Sequence, residues 1–248
     1  MKRFIYLLLV FSLFVFSTAF PATAAENTDG YTLKDLDLLF DQISEQQVKM
    51  DAALTMIESA KLLGYNEKHD VIVLGKKEYE KALALSLKYQ IIYNKLIEKE
   101  EKEWNRKTQE YPYATYIWRY LKNLGYNDYV CAGIMGNLMS EVGGSTLDIK
   151  YWLSNNRYYG MCQWSKSYSD IWGKSLAEQC DYLSKTIKYE FDVFGSLYKK
   201  GFNYQAFLSL TNEKDAALAF AKCYERCASG GYSRRQRNAT KAYQYFVD

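Results

Sequence analysis

Apolar positions between Leu33 and Leu63 recur seven apart, as Leu36, Ile43, Met50 and Ile57, with Leu39, Ala53 and Ala60 on the adjoining seam. That period belongs to a long amphipathic helix of heptad character, which Gly64 ends. A second stripe, Leu85, Tyr89, Ile92 and Leu96, runs into a charged stretch from Glu98 to Glu103, and Asp70 is placed to cap the helix that carries it. Two such helices joined by a short loop make a hairpin with one apolar face and little core, so a protein partner, a second copy or the rest of the chain has to cover it. Pro112 marks a boundary, because proline cannot continue the helix behind it but suits the first turn of one ahead. Beyond it the pattern predicts helices over 112–124, 128–142, 175–193, 202–210, 213–228 and 234–246. Residues 143–174, with their Gly-Gly, Asn-Asn and Tyr-Tyr-Gly content, read as loops and turns held on that helical frame. The expected fold class is mainly α, an N-terminal coiled-coil-like hairpin followed by an all-α domain.

The first residues carry a different pattern. Met1-Lys2-Arg3, an apolar run from Phe4 to Phe20 and the small residues of Pro21–Ala25 are the three parts of a secretory signal. The run of 17 residues is close to the shortest that spans a bilayer, so an uncleaved anchor is the alternative. Either way the chain is exported, with the signal at 1–25, the hairpin at 26–110 and the globular domain at 111–248. No later stretch approaches spanning length, so no membrane contact is expected beyond the signal.

Composition narrows the chemistry. The 248 residues hold one histidine, His69, and residues 111–248 hold none. Cys-His peptidases, zinc endopeptidases and zinc amidases each need histidine in the active domain and are excluded; carboxylates are the remaining agents, with no metal and no cofactor expected. Residues 26–110 carry 13 Lys and Arg against 17 Asp and Glu, whereas residues 111–248 carry 17 against 12. A basic exported domain suits an anionic wall polymer, although such an excess is commonplace on solvated faces; no basic run resembles a nucleic-acid arm, so no nucleic-acid partner is expected. The five cysteines all follow residue 130, an odd count that leaves at least one thiol unpaired within the chain. Cys223 and Cys227 stand four apart on an expected helix, too far apart for an unstrained bridge, and the others read equally as buried hydrophobes or as one or two disulfides.

The segment Asp128–Glu141 is apolar and small almost throughout, and a single carboxylate appears in its last turn, just before Val142-Gly143-Gly144. A buried helix thus delivers Glu141 to a loop. The negative end of the helix dipole and apolar neighbours both favour the neutral form, which a general acid needs; the plain alternative is an exposed Glu ending a helix.

Four ordered blocks then carry a resemblance: Gly133-Ile-Met-Gly136-Asn137-Leu-Met-Ser-Glu141, Tyr159-Gly160-Met-Cys-Gln163-Trp164, Gln179-Cys-Asp-Tyr-Leu183, and Ala217–Arg226 with Tyr224-Glu225-Arg226. Together they resemble the phage tail lysozyme family over residues 113–248 and, more distantly, goose-type lysozymes and soluble lytic transglycosylases. The resemblance implies an all-α lysozyme-like domain that cuts the glycan strands of peptidoglycan between N-acetylmuramic acid and N-acetylglucosamine. It makes Glu141 the catalytic acid and puts Asn137, Tyr159, Gly160, Gln163, Trp164 and Tyr224 at the sugar. Family members commonly carry Ser or Thr after the Glu, where this chain has Val142.

Glycoside cleavage also asks for a group that acts as nucleophile or orients a water. Asp148 is the candidate for that role and Asp170 the reserve, while lytic transglycosylases, by resemblance, need only the one Glu. Trp152, Tyr158, Tyr159, Trp164 and Trp172 supply aromatic faces for sugar stacking, about half of them expected to be core. Glu225 and Arg226 read as a buried pair that holds helices together. Arg234, Arg235 and Arg237 read as ligands for peptide-stem carboxylates or as a solvated helix start. The rival function is a non-catalytic peptidoglycan-binding or assembly module.

Overall fold

The computed structural model describes residues 30–165, 167 and 169–247; the signal sequence read at 1–25 lies outside the described residues. Among the described residues it is mainly α, with eight α-helices and one two-stranded sheet, divided into two compact units that meet between Lys102 and Glu103.

In the first unit, α1 (Leu36–Leu62) and the larger part of α2 (Asp70–Glu110) form the expected antiparallel hairpin. Leu39 packs with Ile92 and Leu96 at one end, and Ile57 and Ala60 pack with Ile72 near the loop. The buried positions of α1 are Leu39, Gln46, Met50, Ala53, Ile57 and Ala60. Gln46, which the apolar pattern skips, keeps the seven-residue register of Leu39, Ala53 and Ala60. Close approach of the helices requires Gly75, where a Cβ would stand 2.7 Å from Ile57 Cγ1. Asp70 is the first helical residue, and the cap comes instead from His69, whose Nδ1 accepts the Val71 N–H at 3.4 Å while its ring stacks on Tyr65.

The unit boundary falls at Glu103 and not at the proline because the last turns of α2 belong to the second core. Trp104 stacks on Phe246, and Lys107 donates to the Phe246 carbonyl at 3.3 Å. That core is built by α3 (Pro112–Asn123), α4 (Asp128–Glu141), α5 (Leu176–Phe194), α6 (Tyr204–Leu208), α7 (Glu213–Cys223) and α8 (Tyr232–Phe246). Every residue of α4 from Val130 to Met139 is buried, so this helix is wrapped by its neighbours and not laid on a surface. Asn127 starts it: Oδ1 accepts the Val130 N–H at 2.9 Å, and Nδ2 donates to the carbonyls of Leu208 and Leu210.

The irregular segment holds the hairpin β1 (Tyr158–Tyr159) and β2 (Trp164–Ser165), with Tyr159 opposite Trp164. The helix expected over 213–228 stops at Cys223. Arg226 adopts a left-handed φ of 49°, and the Cys227 N–H turns back to the Ala221 carbonyl at 3.1 Å. Cys223 and Cys227 therefore do not share a helix. All five cysteines are free and four are buried, as the buried-hydrophobe alternative had it; burial pushes the thiols of Cys131 and Cys180 up to about 12. Among the described residues, no helix is long and apolar enough to cross a membrane.

Candidate active site

The site grows out of two glycines on α4. A Cβ on Gly133 would stand 2.5 Å from Ala216 Cβ and 2.7 Å from the main chain of α7, and one on Gly136 would stand 2.5 Å from the main chain of α8 at Arg235 and Ala239. Only a bare backbone admits both helices this close. With α8 so near, its first turns run beside the end of α4, and the side chains there interlock. Asn238 Nδ2 donates to Ser140 Oγ at 2.9 Å and Ser145 Oγ at 3.3 Å. The loop after Glu141 folds tightly, with the Ser145 N–H on the Met139 carbonyl, and a Cβ on Gly143 would collide with Thr146 O at 2.4 Å. Val142, the residue after Glu141, is buried in the core.

Glu141 ends α4 with its side chain 21% exposed, and Arg235, only 5% exposed, donates through Nη2 to Glu141 Oε1. The carboxylate has a fixed cation beside it, not apolar neighbours alone. From the sequence Arg235 reads as a ligand for peptide-stem carboxylates or as part of a solvated helix start, and its burial fits neither. The signal that places it inside is its register with Asn238, Ala239, Ala242 and Phe246, the buried face of α8.

Glu225 and Arg226 do not form the expected pair. The left-handed turn at Arg226 separates them, so that Arg226 binds Glu190 and lies over the Phe194 ring. Glu225 turns inward, where its Oε1 is buried with no hydrogen-bond partner and its carboxyl bonds with the Cys162 thiol. Burial pushes Glu225 well above the usual carboxylate range; the negative charge of Glu141 acts in the same direction, and Arg235 opposes both. Cys162 is driven upward by burial first and then by the charges of Glu225 and Glu141. The negative charge of Glu141 thus acts on the buried Glu225 carboxyl. Asp148 is 60% exposed and lies 3.8 Å from Lys150, and Asp170 lies on an exposed groove with Lys174, Glu178, Asp181 and Lys185.

The structure places the remaining expected site residues mostly in the frame of the site. Asn137 is fully buried, and its Nδ2 donates to the carbonyls of Gly133 and Ala217, which joins α4 to α7. Gly160 has φ 83° and abuts Gln179. The Gln163 side-chain amide donates to the carbonyls of Leu153 and Gly160, closing its own loop. Trp164 is buried and donates from Nε1 to the Tyr224 hydroxyl at 3.1 Å, and that hydroxyl lies 2.8 Å from Thr186 Oγ1. Tyr159 is also buried, its hydroxyl on the Lys174 carbonyl. Gln179 holds all of this together: fully buried, it accepts the Met161 N–H and donates to the carbonyls of Tyr151 and Lys174. Of the five aromatics weighed for stacking, Trp152, Tyr158 and Trp172 are exposed, and Trp152 is braced edge-on by Tyr113 and Tyr151.

No curated protein and no solved structure gives a significant match to this chain. A family model described as phage tail lysozyme matches residues 112–246, more than half of the chain and nearly all of the second unit. That range holds the glycine-packed helix α4, its terminal Glu141 and the loop that Gln179 ties down, and on this match the chain belongs to the phage tail lysozyme family.

Proposed function

We propose that this chain is an exported glycosidase that cleaves the β-1,4 bond between N-acetylmuramic acid and N-acetylglucosamine in peptidoglycan, with Glu141 as general acid/base and no cofactor. The observation that carries the reading is the placement of Glu141: it ends a helix buried along its length, is partly open to solvent, and stands beside a fixed arginine within the lysozyme-matched range. In protonated form it donates to the leaving glycosidic oxygen while the sugar ring takes on oxocarbenium character. In a hydrolytic route Asp148 orients the attacking water; in a transglycosylase route the sugar's own hydroxyl closes an anhydro ring and Asp148 is dispensable. The solvated position of Asp148 beside Lys150 favours the second route. Trp152, Tyr158 and Trp172 offer exposed aromatic faces to the glycan. The hairpin holds a protein partner or a second copy, and local wall opening for a secretion, conjugation or phage-derived machine is the setting that fits an exported tail-lysozyme domain.

Mass spectrometry of muropeptides released from purified peptidoglycan tests this reading. The wild type is expected to release fragments and Glu141→Gln to release about 10²- to 10⁴-fold less, the range for loss of a general acid. Reducing-end muramic products identify hydrolysis and anhydro-muramic products identify transglycosylation. Silence from the wild type, together with co-sedimentation with the wall, would leave the non-catalytic binding module as the function.

A further inference from the structure

The cations of α8 fall on two faces of the helix. Arg235 lies on the buried face with Asn238, Ala239, Ala242 and Phe246. Arg234, Arg237 and Lys241 are exposed, and their spacing of three and then four residues sets them in one row. No acidic residue lies on α8, and among the described residues its ion pair is that of Arg235 with Glu141, which leaves the row without a counter-ion. The carboxylates that border the helix are engaged elsewhere: Glu141 by Arg235, Glu213 by the Thr240 hydroxyl, and Glu110 by Arg106 and the Tyr245 hydroxyl.

The row is fastened to the loop that carries Glu141. Arg234 Nη2 donates to the Ser140 carbonyl at 3.5 Å, and Lys241 Nζ donates to the Ser145 carbonyl at 3.4 Å. Asn238, between them in sequence, bonds the hydroxyls of the same two serines. Ser140 immediately precedes Glu141, and Ser145 closes the turn that follows it, so the exposed cations run along the rim of the site. Each tether goes to a neutral carbonyl, and the guanidinium and the ammonium both hold further N–H donors for an anion. Arginines in the first turns of a helix also stand against its dipole, a local conflict of the kind that functional surfaces retain.

Resting on the glycosidase reading above, we infer that Arg234, Arg237 and Lys241 bind the carboxylate-bearing arm of the muramic acid unit and so select peptidoglycan over an uncharged glycan. Cleavage at Glu141 brings C1 of that sugar to the site, and the acidic arm leaves C3 of the same ring. Without a stem peptide the arm ends in the lactyl carboxylate; with one, it carries the carboxylates of the stem. Both offer the same chemistry, which arginine meets with a planar fork of donors and lysine with a point charge. Three cations without counter-ions also set up a field that draws an anionic strand toward the rim. Arg235, buried and spent on Glu141, has no part in this.

The test measures retention by insoluble glycan in the Glu141→Gln background of the mature chain, so that no turnover is needed. Three supports are compared: peptidoglycan freed of other anionic wall polymers, the same glycan after an amidase has removed its stems, and chitin, which carries no carboxylate. Adding Arg234→Gln and Lys241→Gln together is expected to weaken retention on one or both peptidoglycan supports by about tenfold at low salt, the scale of two exposed charge pairs. The deficit is expected to close at about 0.5 M salt, where screening is short-ranged, and to be absent on chitin. Lys200→Gln, which removes the same charge from the turn before α6, is the control. A deficit on intact peptidoglycan alone assigns the row to stem carboxylates, one on the stripped glycan alone assigns it to the lactyl carboxylate, and one on both assigns it to either end of the arm. An equal deficit on chitin, an equal deficit from Lys200→Gln, or no deficit on either peptidoglycan support overturns the inference. Should the double variant fail to fold, the single variants, each expected to lose about threefold, decide. Muropeptide release is read separately: a wild type that releases none defeats the glycosidase reading, whereas release by the wild type with undiminished retention in the variants defeats the row alone.

Discussion

Burial holds the Glu225 carboxyl protonated above the ordinary carboxylate range, and the charge of Glu141 adds to that effect. In the unfolded chain the same group ionises near about 4.3, so above that pH the folded protein keeps a proton that the unfolded chain has released. The stability contributed by this group is therefore complete below about 4.3 and is lost as pH rises toward the folded value, at no more than roughly 1.4 kcal/mol per pH unit. Glutamine at 225 has no proton to lose. Thermal melts from about pH 4 to about pH 8 are expected to show the wild type losing stability relative to Glu225→Gln as pH rises, and parallel curves would mean that Glu225 ionises in the folded state as it does in the unfolded. Glu141 itself was legible in the sequence as a lone carboxylate ending an apolar helix. Its companions were not, for two different reasons. Arg235 was readable in principle, because its spacing to Ala239, Ala242 and Phe246 is that of a helix face, but a cluster with Arg234 and Arg237 reads first as a surface patch. Glu225 was not readable, since its separation from Arg226 depends on a left-handed residue that is not glycine.

The element that sets the site is α4, through what its glycines leave out. Substitution by alanine at Gly136 would gain up to about 1 kcal/mol of helix propensity, but its methyl would meet main-chain atoms of α8 at 2.5 Å, which cannot yield as a side-chain tip can. Overpacking of that kind costs about 1–3 kcal/mol, so Gly136→Ala is expected to lower stability in a denaturant titration and, by displacing α8, to draw Arg235 from Glu141 and reduce muropeptide release. Glycine at 144 offers the contrast: φ there is 57° but the space around it is open, so Gly144→Ala carries backbone strain alone. Periodicity and the Pro112 start made most of the helices legible, because those signals act within a few residues. The ends of α7 and the joins of the segment 143–174 were set by distant partners, as Gln179 shows by holding Met161, Tyr151 and Lys174 at once. A resemblance that aligns Tyr159, Gln163 and Trp164 with a sugar cleft does not reveal that those side chains brace the loop, because bracing is a long-range hydrogen-bond pattern absent from local spacing.

At the scale of the whole molecule, the buried apolar side chains of the described residues fall into separate clusters. Leu39 with Ile92 and Leu96, and Ile57 and Ala60 with Ile72, belong to the first unit, while the large cluster that includes Trp118, Phe191, Phe207 and Phe220 belongs to the second. Cooperative unfolding follows shared burial, and among the described residues these clusters share no buried residue, so the chain is expected to unfold in two steps, even though α2 contributes turns to both units. Ile72 is fully buried in the hairpin and Phe207 fully buried in the second unit. Truncation of such side chains costs about 2–5 kcal/mol for isoleucine and about 3–5 kcal/mol for phenylalanine. In differential scanning calorimetry, Ile72→Ala is expected to lower one transition and Phe207→Ala the other, each leaving its counterpart in place. A single transition lowered by either variant would show that the hairpin and the lysozyme domain fold as one cooperative body. Muropeptide release by Ile72→Ala then gives the functional counterpart: with the second unit intact and its hairpin loosened, unchanged release from purified peptidoglycan would assign the glycan chemistry to residues 103–248 alone, and reduced release would show that the hairpin contributes to it.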